Sequence, residues 1–160
     1  MASGKSTAGP ALAARLDRRF IDLDLIIEAK AGCAIAELIE REGEQRFREI
    51  EAETLREAAS LSGTIIAPGG VAITRAENRE LMSSLGITVW LDAPFELCWL
   101  RIQKDGATRP LAPDEATARA RYEDRLALYR QAAMRIPINQ SHSPEDVSEM
   151  IAGKLNALFK

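Results

Sequence analysis

The chain has 160 residues, 46% hydrophobic and 28% charged, with a formal net charge of −3. That length and balance fit one globular domain with a core of its own, and the mild acidity offers no cationic field for nucleic acid or an anionic membrane. No apolar run reaches the length of a membrane span, and Cys33 and Cys98 lack metal or redox spacing and read as two reduced thiols, so the cytoplasm is the expected location.

In chain order, Met1-Ala2-Ser3-Gly4-Lys5-Ser6-Thr7 is the back half of the pattern G-x-x-x-x-G-K-[ST], whose first glycine would fall two residues before Met1. Lys5 to Leu16 then reads as a helix, Arg19 to Leu23 as a short strand, and Asp24 to Lys30 as a helix stopped at Gly32. Ile35, Leu38 and Ile39 have helical spacing that Gly43 breaks, and Phe47, Ile50 and Leu55 carry a further helix to about Ser60. Thr64 to Ala67 is a buried strand ending at Pro68-Gly69-Gly70. Glu77 to Leu85 is helical, Ile87 to Leu91 a strand and Phe95 to Gln103 a helix. Lys104 to Asp114 is a polar surface loop, Glu115 to Ala132 a helix, Met134 to Ile138 a strand and Pro144 to Leu158 a closing amphipathic helix. Strands alternating with helices predict an α/β fold, a parallel sheet with helices on both faces. Ligands of such sheets bind beyond the carboxyl ends of the strands, where Gly4, Asp22, Asp24, Gly69 and Gly70 all fall.

Several groups at those ends have a chemical reading. Backbone N–H groups from Ala2 to Thr7, at the start of a helix, can cradle phosphate oxygens. Lys5 can reach the β- and γ-phosphates, and the Ser6 hydroxyl can take a position on Mg²⁺. Asp22 and Asp24 share a face if both lie on the strand. One carboxylate then supports the metal and the other orients an attacking hydroxyl or accepts its proton; a helix cap at Asp24 is the plainer alternative. Arg48 and Glu51 are helical neighbours, either a solvated ion pair or an arginine steadied by a glutamate to grip a carboxylate. Gly69-Gly70 is a tight turn or a close approach of backbone to ligand. Arg109, in the polar loop, and Arg125 have the chemistry to meet a phosphoryl group or a carboxylate. His142 has no partners at ligand spacing and is expected to be exposed.

In order along the chain, S-G-K-S-T, F-I-D-L-D-x-x-I-E, G-E-x-x-F-R-x-x-E, the Gly-Gly turn, R-P-L and R-x-x-x-Y resemble the shikimate kinases from Met1 to about Ala133, with a looser match beyond. The resemblance implies a three-layer α/β/α P-loop kinase fold, a single domain over residues 1–160 and a lid at about 104–115. It implies transfer of the γ-phosphoryl of ATP to the 3-hydroxyl of shikimate, in the route to chorismate, by a monomer with no nucleic-acid or membrane partner. On this resemblance Lys5 and the backbone of Ala2, Ser3, Gly4, Ser6 and Thr7 bind ATP. Ser6 ligates Mg²⁺ with support from Asp22, and Asp24 contacts the acceptor hydroxyls and activates the nucleophile. Arg48 and Arg125 hold the shikimate carboxylate, with Glu51 orienting Arg48, and Gly70 offers its backbone. Arg109 closes onto the phosphates and Arg101 stacks on adenine.

Where the family has a third glycine in its turn, this chain has Val71, and a β-branched residue disfavours φ > 0, so the turn after Gly70 is expected to differ. Ala127 replaces a proline after the second substrate arginine. The strand leading into the P-loop, central in the family's five-stranded sheet, is expected ahead of Met1, which would then be an internal methionine of a longer reading frame. A ligand-sensing module without catalysis and a kinase for another polyol acid, such as gluconate, are the other readings these residues leave open.

Overall fold

The computed structural model describes residues 2–105 and 113–158. Helices α1 (Lys5–Leu16), α2 (Leu23–Ala31), α3 (Ile35–Ala59), α4 (Ala76–Leu85), α5 (Phe95–Asp105), α6 (Glu115–Tyr129) and α7 (Pro144–Leu158) alternate with strands β1 (Arg19–Asp22), β2 (Thr64–Ala67), β3 (Val89–Asp92) and β4 (Met134–Pro137). A single 3-10 turn, Ala72–Thr74, follows the Gly69-Gly70 loop. The strands are rich in branched and aromatic residues, which suit a pleated surface covered by helices.

Strand pairing is parallel throughout. β1 lies on β2, from Arg19 opposite Thr64 to Asp22 opposite Ala67, and β3 lies on β4, from Val89 opposite Met134 to Asp92 opposite Pro137. Among the described residues no ladder joins β2 to β3, so the sheet layer consists of two pairs.

Packing still places the pairs in one layer. Ile65 of β2 and Val89 and Leu91 of β3 press on one cluster, formed by Ala8 and Leu12 of α1, Leu97 and Cys98 of α5, Met134 and Ile136 of β4, and Val147 and Ile151 of α7. Each large aliphatic side chain buried there is worth about 1.5–3 kcal/mol of transfer free energy. The next residue along each strand turns to the other face, as a period of two requires. Ile66 meets Leu23, Leu55 and Ala58, and the Trp90 ring stacks on Tyr129 of α6. The result is helix, sheet, helix. Gly9 lets α1 sit close on β1, because a Cβ there would come within 2.1 Å of the Phe20 ring.

The structure moves several expected boundaries. β1 ends at Asp22, and α2 begins at Leu23. Gly43, with φ 86° and ψ 160°, kinks one assigned helix, α3, a conformation that glycine reaches without the clash of a Cβ. Val71 has φ −108° and ψ −14°, a negative φ open to a β-branched residue. His142 is half-buried and accepts a hydrogen bond from the Asn139 N–H at 3.3 Å through Nδ1. Both cysteines are free thiols.

Candidate active site

The loop before α1 is built for an anion. Gly4 is the N-cap residue at φ 102°, ψ 19°, a conformation strained for any residue with a Cβ. Its carbonyl accepts from the Thr7 and Ala8 N–H groups and from Thr7 Oγ1 at 2.9 Å, which closes the first helical turn. The positive end of the α1 dipole then faces the loop. Arg101 on α5 donates through Nη1 to the Ala2 carbonyl at 3.1 Å, so α5 braces the loop from the side. Ser6 Oγ donates to Asp22 Oδ2 at 2.6 Å, joining the loop to the carboxyl end of β1.

Asp22 is also the cap of α2, its Oδ1 accepting from the Asp24 N–H at 3.1 Å. This corrects the expectation that Asp22 and Asp24 share a strand face. The chain turns helical at Leu23, so Asp22 ends the strand while Asp24 occupies the first helical turn. The capping role falls to Asp22, and Asp24 is exposed. A Ser6–Asp22 pair beside a phosphate loop suits Mg²⁺, which takes one or two protein oxygens and fills its octahedron with phosphate and water. Among the described residues no cluster of three or more His, Cys, Asp or Glu forms a metal cage, and that mode of binding needs none.

Across from Asp24 lies Glu51. On α3 the buried positions Phe47, Glu51, Thr54, Leu55 and Ala58 form one stripe, so helical periodicity carries Glu51 into the core. The residue is fully buried, and its Oε1 has no hydrogen-bond partner. Burial pushes the Glu51 carboxyl up, against the pull of Arg48, and the nearby Asp24 charge adds to the rise. The Gly69 backbone fits against both carboxylates: a Cβ there would stand 2.6 Å from Glu51 Oε1 and 2.8 Å from Asp24 Oδ1. Gly69 is therefore required for space, a reason distinct from the backbone–ligand approach expected of it.

Arg48 leans back along α3. Its Nη1 donates to Glu51 Oε2 at 3.1 Å and its Nη2 to Glu44 Oε1 at 2.8 Å, and the second bond lowers the Glu44 pKa. Only 11% of the Arg48 side chain is exposed, so the solvated-pair reading fails. Arg125 is 9% exposed. It lies on the inward stripe of α6 with Ala118, Tyr122 and Tyr129, at helical spacing. Its Nη1 donates to the Gly70 carbonyl at 3.3 Å. Burial pulls its pKa down, and repulsion from Arg121 and Arg48 acts in the same direction, but guanidinium stays charged in water-accessible protein. Two largely buried guanidiniums that repel each other favour an anion between them.

The structure thus joins most of the expected site into a path: the loop at Gly4 to Thr7, Ser6 on Asp22, Asp22 on Asp24, Asp24 and Glu51 against Gly69, Glu51 on Arg48, and Gly70 on Arg125. Lys5 sits in the loop, at the first position of α1. Arg101 contacts the loop backbone at the Ala2 carbonyl. Arg109, with Pro110, Leu111 and most of the expected lid, lies outside the described residues; of that lid, Lys104 and Asp105 close α5, and Asp114 caps α6 by accepting from the Thr117 N–H at 2.8 Å. Sequence reasoning gave Tyr129 no role, yet its hydroxyl donates to the Gly70 carbonyl at 2.8 Å. Helical spacing of four puts Tyr129 on the Arg125 face, but nothing local points to Gly70, 59 residues away.

A family model, shikimate kinase, matches residues 1–156. Among curated proteins, a shikimate kinase of Synechococcus sp. (strain JA-3-3Ab) is 41% identical over 154 residues, 94% of this chain and 81% of that protein. One of Burkholderia thailandensis is 43% identical over 135 residues, 83% of this chain and 73% of that protein. Among solved structures, a shikimate kinase from Acinetobacter baumannii in complex with shikimate superposes with a TM-score of 0.94 at 38% identity, covering 99% of this chain and 89% of that one. A deoxyadenosine kinase from M. mycoides, 14% identical with a TM-score of 0.57 over 98% of this chain and 95% of that one, shares the fold. With the family model spanning nearly the whole length and relatives at this identity, the chain belongs to the shikimate kinase family.

Proposed function

We propose that this chain transfers the γ-phosphoryl of ATP to the 3-hydroxyl of shikimate, giving shikimate 3-phosphate and ADP, as a step toward chorismate. The observation that carries the reading is the buried guanidinium pair, Arg48 and Arg125, at the far end of a path of contacts that starts at an anion-binding loop. An anionic polyol between these ends presents its carboxylate to the arginines and its hydroxyls to Asp24.

In this reading Lys5 and the backbone of Ala2, Ser3, Gly4, Ser6 and Thr7 hold the phosphates, and the α1 N-terminus favours their charge. Ser6 and Asp22 would hold Mg²⁺, which would neutralise phosphate charge during transfer. Asp24, exposed at the start of α2, orients the acceptor hydroxyl and takes its proton. Glu51 fixes Arg48, and Arg48 and Arg125 fix the carboxylate, so the acceptor is held in line before transfer. Gly70 contributes backbone to the acceptor. Arg101 serves the nucleotide side, and Arg109, in a lid at about 104–115, closes on the phosphates. The unit is one domain over residues 1–160, acting as a cytoplasmic monomer without nucleic-acid or membrane partners. The net charge of −3 offers no cationic surface for nucleic acid or an anionic membrane.

The test is ADP release with shikimate, quinate and gluconate as acceptors. Turnover with shikimate alone is expected. Turnover with gluconate would assign a different kinase, and shikimate binding without ADP release would assign a ligand sensor.

A further inference from the structure

The Gly69-Gly70 loop has no side chains with which to fix itself, and the sheet next to it is interrupted between β2 and β3. It is tied to α6 through the Gly70 carbonyl, which accepts from Tyr129 Oη at 2.8 Å and from Arg125 Nη1 at 3.3 Å. The shorter bond is the phenol's. The Tyr129 ring stacks on Trp90 of β3, with centroids 6.2 Å apart and planes 13° from parallel. One side chain on α6 thereby touches both sides of the interruption, the loop after β2 through its hydroxyl and β3 through its ring.

We infer that Tyr129 is a positioning residue of the acceptor site: its hydroxyl fixes the Gly70–Val71 peptide plane relative to Arg125. The inference rests on the proposed function. A peptide unit is planar, so fixing the Gly70 carbonyl also fixes the direction of the N–H that follows it. Without the phenol the carbonyl depends on Arg125 alone, so the loop is then held by the same guanidinium assigned to the substrate carboxylate. Arg125 is free to serve the carboxylate because Tyr129 takes the stronger share of the loop. Burial keeps the phenol protonated and hence a donor.

Tyr129→Phe tests this, since it keeps the ring and its stacking on Trp90 and removes only the hydroxyl. Tyr122→Phe is the matched control: it lies on the same face of α6 and donates to the Ala93 carbonyl at 3.0 Å, away from the loop. One lost hydrogen bond of this kind predicts roughly a three- to tenfold rise in shikimate KM for Tyr129→Phe, with kcat and the ATP KM within about twofold of the parent, and no such split for Tyr122→Phe. Hydrogen exchange on the ligand-free proteins should be faster across residues 67–74 in Tyr129→Phe only. If the two variants change shikimate KM alike, or if exchange at 67–74 is unaltered by Tyr129→Phe, the inference is overturned. A parent chain that fails to phosphorylate shikimate counts instead against the proposed function, while the exchange comparison, needing no ligand, still decides the tether.

Discussion

Gly69→Ala should damage stability and acceptor use together. The added Cβ would lie 2.6 Å from Glu51 Oε1 and 2.8 Å from Asp24 Oδ1, against ordinary contacts that begin at 3.4 Å, shortfalls of about 0.8 and 0.6 Å. Glu51 has little room to yield, being fully buried with its other oxygen on Arg48 at 3.1 Å. Overpacking of this kind costs about 1–3 kcal/mol. In a chain of this size each kcal/mol moves Tm by roughly 2–4 °C, so a fall of roughly 2–12 °C is expected. Relief by moving either carboxylate also disturbs the groups assigned to the acceptor, which should lower kcat/KM for shikimate by roughly ten- to a hundredfold. Gly153→Ala is the control of opposite sign. It lies within α7, where a Cβ meets nothing within 4 Å, and alanine there should stabilise by about 0.5–1 kcal/mol. Differential scanning fluorimetry and a coupled ADP assay on both variants decide the matter. A Gly69→Ala protein with the parent's Tm and kcat/KM would refute the argument from space.

Three further substitutions separate the parts of the account. Arg125→Met replaces a buried cation, which pays a desolvation cost, with an apolar chain of similar length; Tm should hold or rise while shikimate affinity, by calorimetry, falls by roughly thirtyfold or more. Glu51→Gln tests the buried carboxyl through pH. Because burial raises the native pKa above the ordinary 4.5, between the two values the native state holds more protons than the unfolded one, and stability falls as pH rises. Glutamine does not titrate, so the Tm of Glu51→Gln relative to the parent should climb as pH is raised through that window; a difference independent of pH would mean that Glu51 is not perturbed. Asp24→Asn should lower kcat by roughly a hundredfold or more with little change in Tm, and near-normal turnover would remove Asp24 from its role.

Much of this was legible in the sequence because periodicity and turn chemistry are local. α7 occupies the predicted Pro144 to Leu158, and β2 the predicted Thr64 to Ala67. Other boundaries slipped where a side chain chose between two local structures. Asp22 capping α2 ended β1 one residue early and started the helix at Leu23 instead of Asp24. The Glu51 position on the buried stripe of α3 could have been read from Phe47, Leu55 and Ala58, and it separates a core carboxylate from a solvated ion pair. Two features had no local signal. The crowding of Glu51 and Asp24 against Gly69 joins α3, α2 and the loop after β2, and the bond from Tyr129 to Gly70 spans 59 residues. Such contacts follow from the packing of layers. At Val71, where the turn was expected to differ from the family's third glycine, the backbone adopts negative φ.

The most direct test of the central claim is the product itself. The chain is incubated with ATP, Mg²⁺ and shikimate and followed by phosphorus NMR. The account predicts ADP together with a new phosphomonoester whose phosphorus couples to the proton at carbon 3 of shikimate. ATP left intact, or converted to ADP and inorganic phosphate with shikimate unchanged, would contradict it.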